Sequence, residues 1–166
     1  MIKNPQVILK NRYQVVPRTL ILVFKKETVL LQKGLPDKKI YPGLYNGLGG
    51  HIERGEDILT AARRELLEES GIVCEDLHLC GTITIEVEKN TGILLFVMSG
   101  NEPSGQIEKS NEGPLYWVSI NRIPVSEVVE DIPEIITRIK LMKNNTDLFH
   151  GHYAYDGKGN RITTFG

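Results

Sequence analysis

Glu65, Glu68 and Glu69 crowd three carboxylates into little more than one turn of a segment with helical spacing. At about 100° per residue, placing Glu65 at zero puts Glu69 near +40° and Glu68 near −60°. On the same wheel Ile58, Ala62, Leu66 and Leu59 form an apolar stripe between about +20° and +120°. The acids therefore abut the buried face. Like charges one turn apart cost roughly 0.2–0.5 kcal/mol per pair on an exposed helix, and more at the edge of a core. Arg63 and Arg64 project near 160° and −100°, which predicts that neither relieves the crowding. A hard dication such as Mg²⁺ does, because it takes carboxylate oxygens and shares them with phosphate. Ala61, near −40°, is expected to leave room for the ion. A solvated acidic face is the competing reading, and most glutamate-rich helices are that.

The helix that carries these acids has clear ends. Asp57 is placed to cap its start and Gly71 to close it. Before it, the Gly- and Pro-rich residues 34–50 read as a loop ending on a short strand. Earlier still, "RTLILVFK" and "TVLLQK" predict a hairpin over residues 18–33. After the helix, "TITIEVE" (82–88) and "ILLFVMSG" (93–100) read as strands joined by a turn at "NTG", and "PLYWVSI" (114–120) as another. "PEIITRIKLMK" (133–143) has helical spacing in Ile135, Ile136, Ile139 and Leu141. The tail, 149–166, predicts a hairpin turning at Asp156-Gly157. Strands and helices interleave without a strict βαβ rhythm, which favours an α+β fold with a mixed sheet and helices packed on it.

The 166 residues fit one domain, 1–166, with 1–15 as an N-terminal extension. A net charge of −1 provides no field for a nucleic acid polymer. The longest apolar runs, residues 19–24 and 93–98, are far too short for a membrane span, and the first residues lack a signal-peptide core. Cys74 and Cys80 fit neither a zinc pattern nor a disulfide framework. The expectation is a soluble cytoplasmic protein with a small-molecule partner, as a monomer or homodimer.

From Gly50 the chain reads Gly, five residues, Glu56, seven residues, Arg64-Glu65-Leu66, one residue, Glu68-Glu69, one residue, Gly71-Ile72. This resembles the complete signature of the Nudix hydrolases. The resemblance implies an α/β/α sandwich with a mixed β-sheet, a loop–helix–loop metal site over 50–72, and Mg²⁺-dependent hydrolysis of a nucleoside diphosphate linked to another group, with Mn²⁺ as a substitute. By matching positions, Glu65, Glu68 and Glu69 would hold the cations with the Gly49 carbonyl. Arg64 would orient a catalytic glutamate, Gly50 would face substrate, and Glu56 and Gly71 would shape the motif. The general base stays open among Glu65, Glu68 and Glu112, since shared metals couple their titrations.

"YNGLGGH" (45–51), "EGPLYW" (112–117), "INRIP" (120–124), "VVED" (128–131) and "FHGHYAY" (149–155) follow the order seen in MutT-type purine nucleoside triphosphate hydrolases, and among them most resemble the enzymes acting on oxidised purines. That likeness implies cleavage to the nucleoside monophosphate and pyrophosphate. It makes Asn46 a base contact, or otherwise a turn residue. Asp131 becomes one of a pair of acidic base readers, or otherwise a residue favouring a helix start. Glu112 becomes an extra glutamate approaching the metals, or otherwise a loop acid. Val129 stands where the animal enzyme has a stacking tryptophan, and Ile132 where it has the second acid of the pair. The other readings are hydrolysis of a nucleotide sugar or dinucleotide, and a non-catalytic nucleotide sensor. Residues 73–95 contain neither the proline nor the tyrosine of some subfamilies, which counts against ADP-ribose and dinucleoside polyphosphates, and the intact glutamates count against a sensor.

Overall fold

The structure, a computed structural model, describes residues 6, 9, 11–108, 110–143 and 147–166. Most of the expected extension, 1–15, lies outside the described residues, while Gln14 and Val15 already belong to the first strand.

The apolar run at the start of the chain builds two layers at once. In β1 (Gln14–Lys25), Leu20, Leu22 and Phe24 face one side of the sheet, and Ile21 and Val23 the other. Successive strand side chains alternate faces, so a continuous apolar run implies cover on both. β2 (Thr28–Lys33) returns antiparallel to β1 and pairs with β3 (Tyr45–Asn46). The expected hairpin is present, but β1 starts four residues before Arg18, through Pro17, because its pairing is with a distant strand.

α1 (Ile58–Ser70) packs Ala62 and Leu66 against Ile21, Val23, Leu30 and Leu48. It leads into β4 (Ile72–Val73), which later pairs with a two-residue strand. β5 (His78–Glu88) and β6 (Thr91–Asn101) form a long antiparallel pair. Their turn falls at Lys89-Asn90, earlier than "NTG", since Thr91 already pairs with Glu88. β7 (Ser104–Gly105) is the partner of β4, and β8 (Leu115–Ser119) pairs with β2.

α2 (Ile132–Leu141) covers the other face, with Ile132, Ile135 and Ile136 packed on Leu22, Phe24 and Leu31. Leu141, expected on that apolar face, is 74% exposed, because it falls off the stripe that Ile132, Ile135 and Ile136 define. β9 (Phe149–Tyr155) and β10 (Arg161–Phe165) close the chain as a hairpin. Asp156 Oδ1 accepts from the N–H groups of Lys158 and Asn160, which fixes the turn.

The main sheet runs β10-β9-β5-β6-β1-β2-β3, with β8 also on β2. β1·β6 and β5·β9 are parallel and the other pairs antiparallel. With α1 on one face and α2 on the other, the mixed sheet is the middle of an α/β/α sandwich. Among the described residues no helix is long and apolar enough to cross a membrane.

Candidate active site

α1 begins where Asp57 Oδ1 accepts from the N–H groups of Leu59 and Thr60, at 2.9 and 3.0 Å, and ends at Gly71 in the left-handed region. Between these caps the glutamates are carried up to the loop at Gly49-Gly50. There the Gly49 N–H donates to Glu69 Oε2 at 2.9 Å. A Cβ on Gly50 would lie only 2.5–2.8 Å from the Glu65 carboxylate, so the backbone approaches that acid more closely than any side chain permits. Gly49 has φ +127°, and a Cβ there would meet the Thr19 carbonyl oxygen.

Arg64 departs from expectation. Its Nε and Nη2 donate to Glu56 Oε1 and Oε2 at 2.6 and 2.9 Å. Its Nη1 donates to Glu65 Oε1 at 2.9 Å and Glu68 Oε2 at 3.1 Å, and Nη2 also reaches the His51 carbonyl at 3.2 Å. The wheel angle describes only the Cα–Cβ direction, and the guanidinium fork reaches the adjacent Glu65 and, one turn ahead, Glu68, relieving two of the three acids. This environment, Glu56 foremost, raises the Arg64 pKa further, and Arg64 in turn holds Glu56 below the usual carboxylate range. Glu56 Oε2 also accepts the Glu53 N–H, so one carboxylate ties loop to helix.

Ala61 is fully buried, so the room expected beside it is filled. Glu69 stays out of Arg64's reach. Burial, then the neighbouring Glu112 and Glu65 charges, push its carboxyl up to about 7 against the opposing pull of the Gly49 N–H. Glu112, on the loop before β8, is held by Lys38 Nζ at 2.7 Å. Glu65, Glu69, Glu112, Gly49 and Gly50 therefore share one neighbourhood, while Glu68 lies at its exposed margin with 59% of its side chain in solvent.

Among the described residues no three carboxylates already form a closed cation cage. The donor chemistry nevertheless fits a hard dication. It is all oxygen, and the charge on half-buried Glu69 is opposed by two like charges, against which the Gly49 N–H and the Lys38 ammonium give partial support.

A cavity of about 770 Å³ opens from this cluster. Glu69, Glu112, Gly49, Lys38 and Arg18 line it, as do Asn46, Val129, Asp131, Tyr153 and Arg161. Asn46 lies in β3, where its Oδ1 accepts the Gly47 N–H at 2.9 Å, so Asn-Gly is not a hairpin turn. Asp131 stands at the start of α2 without a side-chain capping bond. Its carboxyl faces the cavity instead, and burial raises its pKa. Ile132 is fully buried in the core and does not line the cavity. Tyr153 and Arg161, which no local pattern marks, reach the site only because β9 and β10 fold back beside β5.

The NUDIX domain model matches residues 15–139. The chain belongs to the Nudix family. This Nudix hydrolase is 37% identical over 114 residues to the oxidized purine nucleoside triphosphate hydrolase of Danio rerio, covering 68% of this chain and 72% of that protein. It is 33% identical to the Mus musculus protein of the same name over the same shares. A MutT protein from Bacillus halodurans shares the fold at a TM-score of 0.73, with 22% identity, over 91% of this chain and 97% of that one.

Proposed function

We propose that this Nudix hydrolase directs water onto a phosphorus of a nucleoside triphosphate, releasing the nucleoside monophosphate and pyrophosphate, with Mg²⁺ as cofactor and the cytoplasm as its place of work. One observation carries the reading. A single cavity joins an oxygen-rich acidic cluster flanked by Lys38 and Arg18 to a compartment bearing Asn46, Val129 and Asp131. The first suits a polyphosphate and its cations, the second a base.

Glu65, Glu69 and Glu112, with Glu68 and the Gly49 carbonyl, would hold the cation. Bound Mg²⁺ would neutralise phosphate charge and lower the pKa of a bound water. Arg64 positions Glu65 and Glu68, one of which, or Glu112, takes the proton from the attacking water. Gly50, with no Cβ, lets the loop backbone lie against the Glu65 carboxylate. Lys38 and Arg18 oppose the charge of the leaving pyrophosphate. Asn46 and Asp131 offer donor and acceptor groups to the base. The names of the zebrafish and mouse relatives support purine triphosphates, oxidised ones included.

The test is incubation with Mg²⁺ and a panel of normal and oxidised nucleoside triphosphates, nucleotide sugars and dinucleotides, reading pyrophosphate, phosphate and monophosphate. Triphosphates are expected to yield monophosphate and pyrophosphate, and chelation to stop the release. Glu68→Gln is expected to lose most activity while keeping its fold, since the side chain is largely exposed. Cleavage of no triphosphate by the folded protein would overturn the reading.

A further inference from the structure

Arg161 is among the cations that line the cavity. Arg161, first residue of β10, has 16% of its side chain exposed, and its Cζ lies 4.7 Å over the Tyr153 ring. Its Nη1 is 3.1 Å from Glu130 Oε1 and 3.9 Å from Asp131 Oδ2. At 3.9 Å Asp131 and Arg161 attract but do not hydrogen-bond, so their mutual demand for a partner is not met by each other. Beside them the Tyr153 hydroxyl is buried next to the Asp131 carboxylate without a well-aligned hydrogen-bond partner. Asp131, only 9% exposed, leaves α2 uncapped.

Buried polar groups are ordinarily paired. Here a carboxylate, a hydroxyl and a guanidinium with N–H groups to spare line one wall of a cavity. Such a set complements a flat edge that presents an acceptor next to N–H donors. A 6-oxopurine has that order: the 6-oxygen accepts, and the ring N1–H, joined in guanine by the 2-amino group, donates. A 6-aminopurine puts an N–H₂ group where the guanidinium also donates, and its N1 is an acceptor facing a carboxylate.

We infer that Arg161 is a specificity-determining residue that reads the 6-position of the base, donating to a 6-oxo group together with Tyr153 while Asp131 accepts from N1–H. Selection then turns on the 6-position, whatever stands elsewhere on the ring, and the substrate class is 6-oxopurine nucleoside triphosphates. This rests on the nucleotide-hydrolase reading above.

The experiment uses four deoxynucleoside triphosphates: those of guanine, hypoxanthine, adenine and 2,6-diaminopurine. Both 6-oxo substrates are expected to exceed both 6-amino substrates in kcat/KM by about 10- to 100-fold, the effect of one charge-assisted hydrogen bond and its mismatch. Diaminopurine and hypoxanthine separate the 6-position from the 2-amino group. Arg161→Met keeps the aliphatic stem over Tyr153 and is expected to bring the four within about threefold, through a higher KM for the 6-oxo pair with kcat retained. Glu130→Gln, whose side chain is 69% exposed, is expected to leave the preference unchanged. Binding of the guanine, hypoxanthine and adenine monophosphates, measured by calorimetry, reports the same preference without turnover. Equal binding of the three by the wild-type protein, or an unaltered preference in Arg161→Met, overturns the inference. Cleavage of no triphosphate with the binding preference intact would instead sink the hydrolase reading alone. Should Arg161→Met fail to fold, Arg161→Lys keeps the charge and loses the fork, and must weaken the preference.

Discussion

Arg64 and Glu56 are joined at two points, Nε to Oε1 at 2.6 Å and Nη2 to Oε2 at 2.9 Å, across the turn that separates loop from helix. The bidentate contact leaves Nη1 aimed at Glu65 and Glu68. A planar fork serves three carboxylates at once in a way that a point charge does not. Arg64→Lys is therefore expected to keep its fold, by circular dichroism, but to lose up to about 100-fold in kcat as the glutamates lose their orientation. Activity within about threefold of wild type would show that Arg64 positions nothing.

The same pair has a signature in acid. Glu56 is held below its usual value of 4.5, by Arg64 first and the Glu53 N–H second. A carboxyl with a depressed folded pKa contributes stability that is complete above its unfolded value and is lost as pH falls through the folded one. Thermal melts of the wild-type protein should thus steepen their decline below about pH 4.5, and Glu56→Gln should flatten that limb while lowering Tm at pH 7. Parallel acid limbs in the two proteins would remove Glu56 from the account.

Features set by neighbours in sequence were legible in advance. The Asp57 cap, the Gly71 terminus, the β1–β2 hairpin and the turn at Asp156 each depend on a few adjacent residues. The first half of β1 was not legible, because Pro17 argues against a strand and its support comes from Leu94, opposite it in the parallel β6. β4 and β7 are two-residue strands that exist only through each other. At the site, the glutamates could be read from spacing, but the reach of Arg64 could not, since a helical wheel ignores five side-chain bonds. Tyr153 and Arg161 enter the cavity through β9 pairing with β5, a contact 68 positions apart at Gly81 and Phe149.

Glu69 is the acid whose charge the fold opposes most plainly, with burial first and Glu112 and Glu65 behind it. Removing that charge should relieve the cation-free protein and disable the loaded one. Glu69→Gln is expected to melt at least about 2 °C higher than wild type in chelator at pH 8, since its amide oxygen can still accept from Gly49. In Mg²⁺ the order should reverse, with wild type stabilised by cation binding and the variant hardly responding. A variant that gains as much Tm from Mg²⁺ as wild type would show that Glu69 is no ligand.

Gly49 and Gly50 separate two reasons for glycine, and substitution should tell them apart. Gly49 carries φ +127°, and a Cβ would press on the Thr19 carbonyl in β1, a backbone atom that cannot swing away. Gly49→Ala is therefore expected to cost at least about 2 kcal/mol in urea unfolding, from backbone strain and the clash together. At Gly50 the obstacle is the Glu65 carboxylate at 2.5–2.8 Å, the end of a side chain that can rotate. Gly50→Ala should lose little stability, under about 1 kcal/mol, yet push Glu65 off Arg64 and out of register with Glu69, lowering kcat about 10-fold or more. Equal stability losses in the two variants, or full activity in Gly50→Ala, would contradict the claim that Gly50 is glycine to admit the Glu65 carboxylate.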